Sequence, residues 1–143
     1  KNRMQGNDFV QSLMYRRGIT CFSCHDVHGT DNRAQLRAPI GQLCLTCHGP
    51  NSPNGPRTNT LEAHTHHKAG TPGGECVDCH MPKIQTTVGP VSVRAHTFEF
   101  ITPAMTDKYK IPNPCTTCHS DKTTAWAADA LKRWPERSPW RIE

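Results

Sequence analysis

No run of 18 apolar residues occurs anywhere in the chain, so it contains no transmembrane helix. Apolar residues are scarce overall, at 34% with aromatics at 6%, and the mean hydropathy is -0.68. A polypeptide of that composition buries too little apolar surface to offset its own chain entropy. Long periodic segments are lacking too, and 10 glycines and 12 prolines punctuate the remainder. These absences exclude a large hydrophobic core, a βαβ array and a repeat of fixed period. No cysteine is left over for disulfides, because all eight fall in one kind of motif. No signal peptide opens the sequence, and residue 1 is Lys, so the chain reads as a mature form or a piece of a longer one.

That motif is Cys-x-x-Cys-His, present as CFSCH at 21–25, CLTCH at 44–48, CVDCH at 76–80 and CTTCH at 115–119. It reads as a c-type haem attachment site. The thiol pairs Cys21 and Cys24, Cys44 and Cys47, Cys76 and Cys79, and Cys115 and Cys118 would each bond the two vinyl groups of one porphyrin. The adjacent His25, His48, His80 and His119 would then meet the four irons. A zinc ribbon is the competing reading, since 19 residues separate Cys24 from Cys44. The histidines decide between them. With His at 9 of 143 residues, its chance occurrence after all four CxxC pairs is on the order of one in 10^5. A thioredoxin-like dithiol needs a βαβ context that is absent.

Four haem c groups supply the missing core, about one per 36 residues, and folding should depend on their attachment. The expectation is a single domain over 1–143, mostly irregular with a few short α-helices and little β, organised around four covalently bound haems. A short amphipathic helix is predicted over 7–17, the best helix over 121–134 ending at Pro135, and one strand-like stretch over 86–101. In the C-terminal helix Trp126, Ala130 and Trp134 recur at i,i+4 beside Ala127 and Leu131, and the tryptophans are read as packing against porphyrin. Residues 49–60 and 69–74 read as loops.

The formal charge of +5 does not indicate nucleic-acid binding, because no recognition motif accompanies it. Each ferric bis-His haem adds about -1, bringing the total to about +1 oxidised and about -3 reduced. Arg16, Arg17, Arg33, Arg37, Lys132 and Arg133 are read as propionate partners and solvated surface. Covalent haem attachment takes place outside the cytoplasmic membrane, which places the working protein in a periplasm or the extracellular space.

Five histidines lie outside the motifs: His28, His64, His66, His67 and His96. Four would complete four bis-His haems with one to spare, leaving Met4, Met14, Met81 and Met105 unneeded as ligands. His28 follows His25 by three residues and cannot reach the far face of the same porphyrin, so it should serve a neighbouring haem. His64 and His67 share a face if their segment is a helical turn, with His66 pointing elsewhere. His96 lies among aromatic residues suited to a haem edge.

The segments CFSCHDVHG, LCLTCHGP, HTHHKAGTPGGECVDCHMP, AHTF and IPNPCTTCHSDK resemble the multihaem cytochromes c with doubled CxxCH motifs, over nearly the whole chain. Members of that family are electron carriers, often portions of longer proteins. The first and last His of an HxxH segment recur in its pattern, which favours His64 and His67 over His66. The opening KNRMQGNDF resembles an internal stretch of longer relatives.

Two strong-field His ligands on every iron seal it from substrate. The expected function is therefore low-potential electron transfer without catalysis, between redox partner proteins. The alternatives are a protomer self-associating into a haem-continuous conductive filament, and a multihaem reductase with one open haem. All four motifs ending in His weighs against the reductase.

Overall fold

A computed structural model of the chain describes residues 5–49, 52–53, 60–83, 85–86 and 92–134. The described elements are short helices joined by irregular segments. They run α1 (Gln5–Phe9), α2 (Leu13–Arg16), α3 (Cys21–Cys24), α4 (Ile40–His48), α5 (Leu61–Thr65), α6 (Cys76–His80), α7 (Pro103–Tyr109), α8 (Pro114–Cys118) and α9 (Thr124–Lys132). Between α6 and α7 a two-residue ladder pairs β1 (Gln85–Thr86) antiparallel with β2 (Ser92–Val93). The fold is thus mostly helical and irregular, with little strand.

Helices this short are marginal alone, and side-chain caps start most of them. Ser12, Thr60, Thr102, Asn113 and Thr123 each accept a hydrogen bond from the backbone N–H three residues on. Pro103 and Pro114 occupy the first helical position of α7 and α8, where no backbone N–H is needed.

The capping chemistry also explains where the sequence expectations shift. The helix predicted over 7–17 is broken into α1 and α2, because the buried Ser12 caps a new start at Leu13. Among the described residues the strand-like stretch keeps only β1 and β2, and 94–101 is irregular backbone from which Arg94 bonds to the third CxxCH motif. The C-terminal helix begins at Thr124 rather than at residue 121, since Thr123 is the cap. Its buried stripe is Ala127 and Leu131, whereas Trp126 remains 37% exposed. Pro135, Val91, Met4 and most of the 49–60 loop lie outside the described residues.

The protein core is small. Among the described residues the buried apolar side chains are Phe9, Val77, Ala95, Ile101, Ala127 and Leu131. The chain exposes 10037 Å², against about 7,400 Å² for a compact monomer of its mass. Helix α9 packs on α7, where the Thr124 hydroxyl donates to Asp107 at 2.8 Å. The fully buried Asn113 amide donates to the Thr106 hydroxyl at 2.9 Å and so ties α7 to α8.

Candidate haem-binding site

All four CxxC pairs lie on helical turns: α3, the C-terminal half of α4, α6 and α8. Positions i and i+3 of a helix share one side, so each turn presents both thiols together. The motifs also approach one another in chain order. Helix α6 packs on α4 and on α8, and the Cys44 and Cys76 thiols share a hydrogen bond that raises the first and lowers the second. Burial, reinforced by the thiols of Cys115 and Cys118 and by Asp78, pushes the Cys79 thiol up to about 12. Burial likewise raises Cys24, with Cys47 adding to it. Among the described residues no group of three or more His, Cys, Asp or Glu is gathered to hold a metal ion.

The histidines are arranged quite differently. His25 faces His96 with ring centres 6.3 Å apart, His64 faces His80 at 6.4 Å, and His67 faces His119 at 6.2 Å. Each pair joins one motif histidine to one from outside the motifs. A metal–imidazole bond of about 2.0 Å and a ring radius just over 1 Å set two trans imidazole centres about 6.3 Å apart. Other aromatic contacts run from 4.5 Å for His66–Trp134 to 6.3 Å for Phe9–Phe98 and His80–Phe100, so what sets the three pairs apart is that each joins a motif histidine to a distant one at that spacing. The three histidine pairs fit a haem iron between the rings.

Hydrogen bonding fixes the rings for that purpose. Nδ1 of His25 lies 2.8 Å from the Ala34 carbonyl, that of His67 2.6 Å from Thr65, and that of His96 3.0 Å from Arg94. A carbonyl only accepts, so Nδ1 carries the proton and the Nε2 lone pair is left for a metal. The His80 ring donates similarly to the Phe98 carbonyl, while burial, then His64 and His48, holds its pKa below the ordinary value. A depressed pKa favours the neutral imidazole that iron binds.

Left-handed backbone shapes two of these contacts. His66 (φ 55°) ends α5, so His64 and His67 do not share a helical face, contrary to the conditional expectation. They turn instead to different motifs, His64 to the third and His67 to the fourth. The His66 ring stacks on Trp134 with an interplanar angle of 19°. Phe98 (φ 55°) aims its carbonyl at His80 while its ring meets His96 edge-on. Non-glycine residues pay for this conformation, and such outliers collect at functional sites.

His28 and His48 are both exposed, and the His28 backbone N–H donates to Asp26 at 3.1 Å. Trp126 lies against His119 at 5.0 Å. Two cations read from sequence as propionate partners are held within the protein: Arg37 donates to the Phe22 and His25 carbonyls at 2.7 and 3.2 Å, and Lys132 pairs with Asp129 at 2.8 Å. Arg94 plays the same part on the third motif, donating to the Val77 and Met81 carbonyls at 2.8 and 3.1 Å. Nothing in the sequence signalled Arg94, since its contacts span 13 and 17 residues.

The family described as doubled CXXCH motif matches residues 15–53. The fold is similar to the crystal structure of outer cell wall cytochrome OcwA, with a TM-score of 0.56 at 18% identity. That likeness covers 94% of this chain and 38% of the other. Curated proteins yield no match. The family match spans the first two CxxCH motifs, and the structural likeness is one of fold.

Proposed function

We propose that this chain is a non-enzymatic electron-transfer protein carrying four haem c groups on Cys21/Cys24, Cys44/Cys47, Cys76/Cys79 and Cys115/Cys118. The observation that carries the reading is the set of three histidine pairs at 6.2 to 6.4 Å. His25 and His96 would hold the first haem, His64 and His80 the third, and His67 and His119 the fourth. His28 is the candidate for the face opposite His48 on the second, since it cannot cross to the far side of its own motif's porphyrin. When bound, each iron supplies a one-electron ferric/ferrous couple.

The protein's own groups make that couple fast and low in potential. Two imidazoles per iron keep the coordination unchanged between oxidation states, and their Nδ1–H bonds to carbonyls enrich the ligand in electron density. Cysteines of successive motifs lie near one another, an arrangement that would bring neighbouring macrocycles within tunnelling range. An exported location fits both the attachment chemistry and the likeness to an outer cell wall cytochrome. Redox proteins are the partners this requires, and haem edges shared between copies would extend the same path into a filament.

Native mass spectrometry should show the mass of about four haems above the polypeptide, retained through acid-acetone extraction because thioethers hold them. The ferrous protein should bind carbon monoxide poorly. Zinc with free thiols would sink the reading, and stoichiometric carbon monoxide binding would point to an open iron and a reductase.

A further inference from the structure

The third motif contains a residue whose contacts reach well beyond its own haem. Asp78 is the second spacer of CVDCH, and its two carboxylate oxygens diverge. Oδ1 accepts from Arg94 Nη2 at 3.3 Å, an ion pair with about 30% side-chain exposure on each partner. Arg94 in turn binds the α6 carbonyls of Val77 and Met81, and its own carbonyl receives the His96 Nδ1 proton at 3.0 Å. Oδ2 accepts from the Gly73 N–H at 3.3 Å. Gly73 has φ +87° and backs onto the His67 ring so closely that a Cβ there would lie 2.8 Å from Cδ2 and 3.0 Å from Nε2.

We infer that Asp78 is a positioning hub that orients axial histidines of three haems at once: its own His80, His96 through Arg94, and His67 through Gly73. The inference rests on the three pairings proposed above. A spacer residue of a CxxCH motif needs only to fit the turn, and the matching residue of the second motif, Thr46, merely donates to the Leu43 carbonyl one turn back at 2.7 Å. Asp78 instead bonds both to the loop that enters its helix, at Gly73, and to Arg94 beyond the two-stranded ladder. None of these bonds is made to the second motif, so the haem proposed on Cys44 and Cys47 serves as an internal control.

The hub is tested by three substitutions in the haem-loaded protein, read by paramagnetic resonance of the low-spin ferric signals and by carbon monoxide affinity. Signals are first assigned with His96→Ala, His64→Ala and His67→Ala; if these leave the spectrum low-spin, the pairing fails rather than the hub. Asp78→Asn should shift three signals and raise carbon monoxide affinity at those irons about tenfold, the lower end of the effect of losing a hydrogen bond that orients a metal ligand. The signal of the second haem should not move. Arg94→Lys keeps the charge but loses the fork, and should shift only the first and third haems. Gly73→Ala should shift only the fourth. A change confined to the third haem in Asp78→Asn, or equal changes in all four signals in any variant, would overturn the hub. Haem content near four in Arg94→Lys and Gly73→Ala separates these outcomes from failed maturation should Asp78→Asn not accumulate.

Discussion

The second and third haem motifs touch through α4 and α6, yet they are held in opposite ways. Helix α4 runs nine residues, buries none of them, and leaves His48 exposed. Helix α6 runs only five, buries Val77, and is gripped by Arg94, Gly73 and the Phe98 carbonyl. The motif with more helix of its own has less from the rest of the chain. The covalent part of a CxxCH site is a local matter of one helical turn, whereas the trans ligand and its orientation are matters of distant sequence. The two motifs show these two requirements satisfied separately.

The largest expected effect comes from removing trans ligands. His64→Ala should open the third iron, giving a high-spin fraction and about one carbon monoxide bound per protein, because His80 is left without its counterpart. If His28 serves the second haem, His28→Ala should produce the same signature there and leave the first haem untouched. Loss of the first haem's low-spin signal in His28→Ala would overturn that assignment and would also contradict the His25–His96 pair.

A smaller effect distinguishes the two helices through their matched first spacers. Val77 is 4% exposed, so Val77→Ala should cost about 1–2 kcal/mol in denaturant unfolding. Leu45 occupies the corresponding place in α4 and is only half-buried, so Leu45→Ala should cost about half as much despite removing more carbon. Equal costs would show that α4 is as firmly packed as α6.

Much of this was legible in the sequence, because thioether chemistry demands strict spacing. The eight cysteines and four following histidines needed no structure, and neither did the count of outside histidines. The pairings were not legible: His25 and His96 lie 71 positions apart, and no local pattern links them. The left-handed His66 was hidden as well, since a helical turn and a helix end read alike over HTHH. Arg94 and Asp78 drew no reading, because apart from each other their partners are backbone carbonyls and an amide, which carry no sequence signal. The two tryptophans were placed on one stripe by periodicity, but Ala127 and Leu131 fill the protein interior, and Trp126 and Trp134 turn to histidine rings.

The central claim is that three pairs of imidazoles, each spanning a motif and a distant segment, hold three irons. Anomalous diffraction at the iron edge on crystals of the haem-loaded protein tests it most directly. The expected result is an iron peak midway between the rings of His25 and His96, of His64 and His80, and of His67 and His119, about 3 Å from each ring centre. A peak lying to one side of any pair, with the outside histidine turned to solvent or to a different iron, would contradict the account.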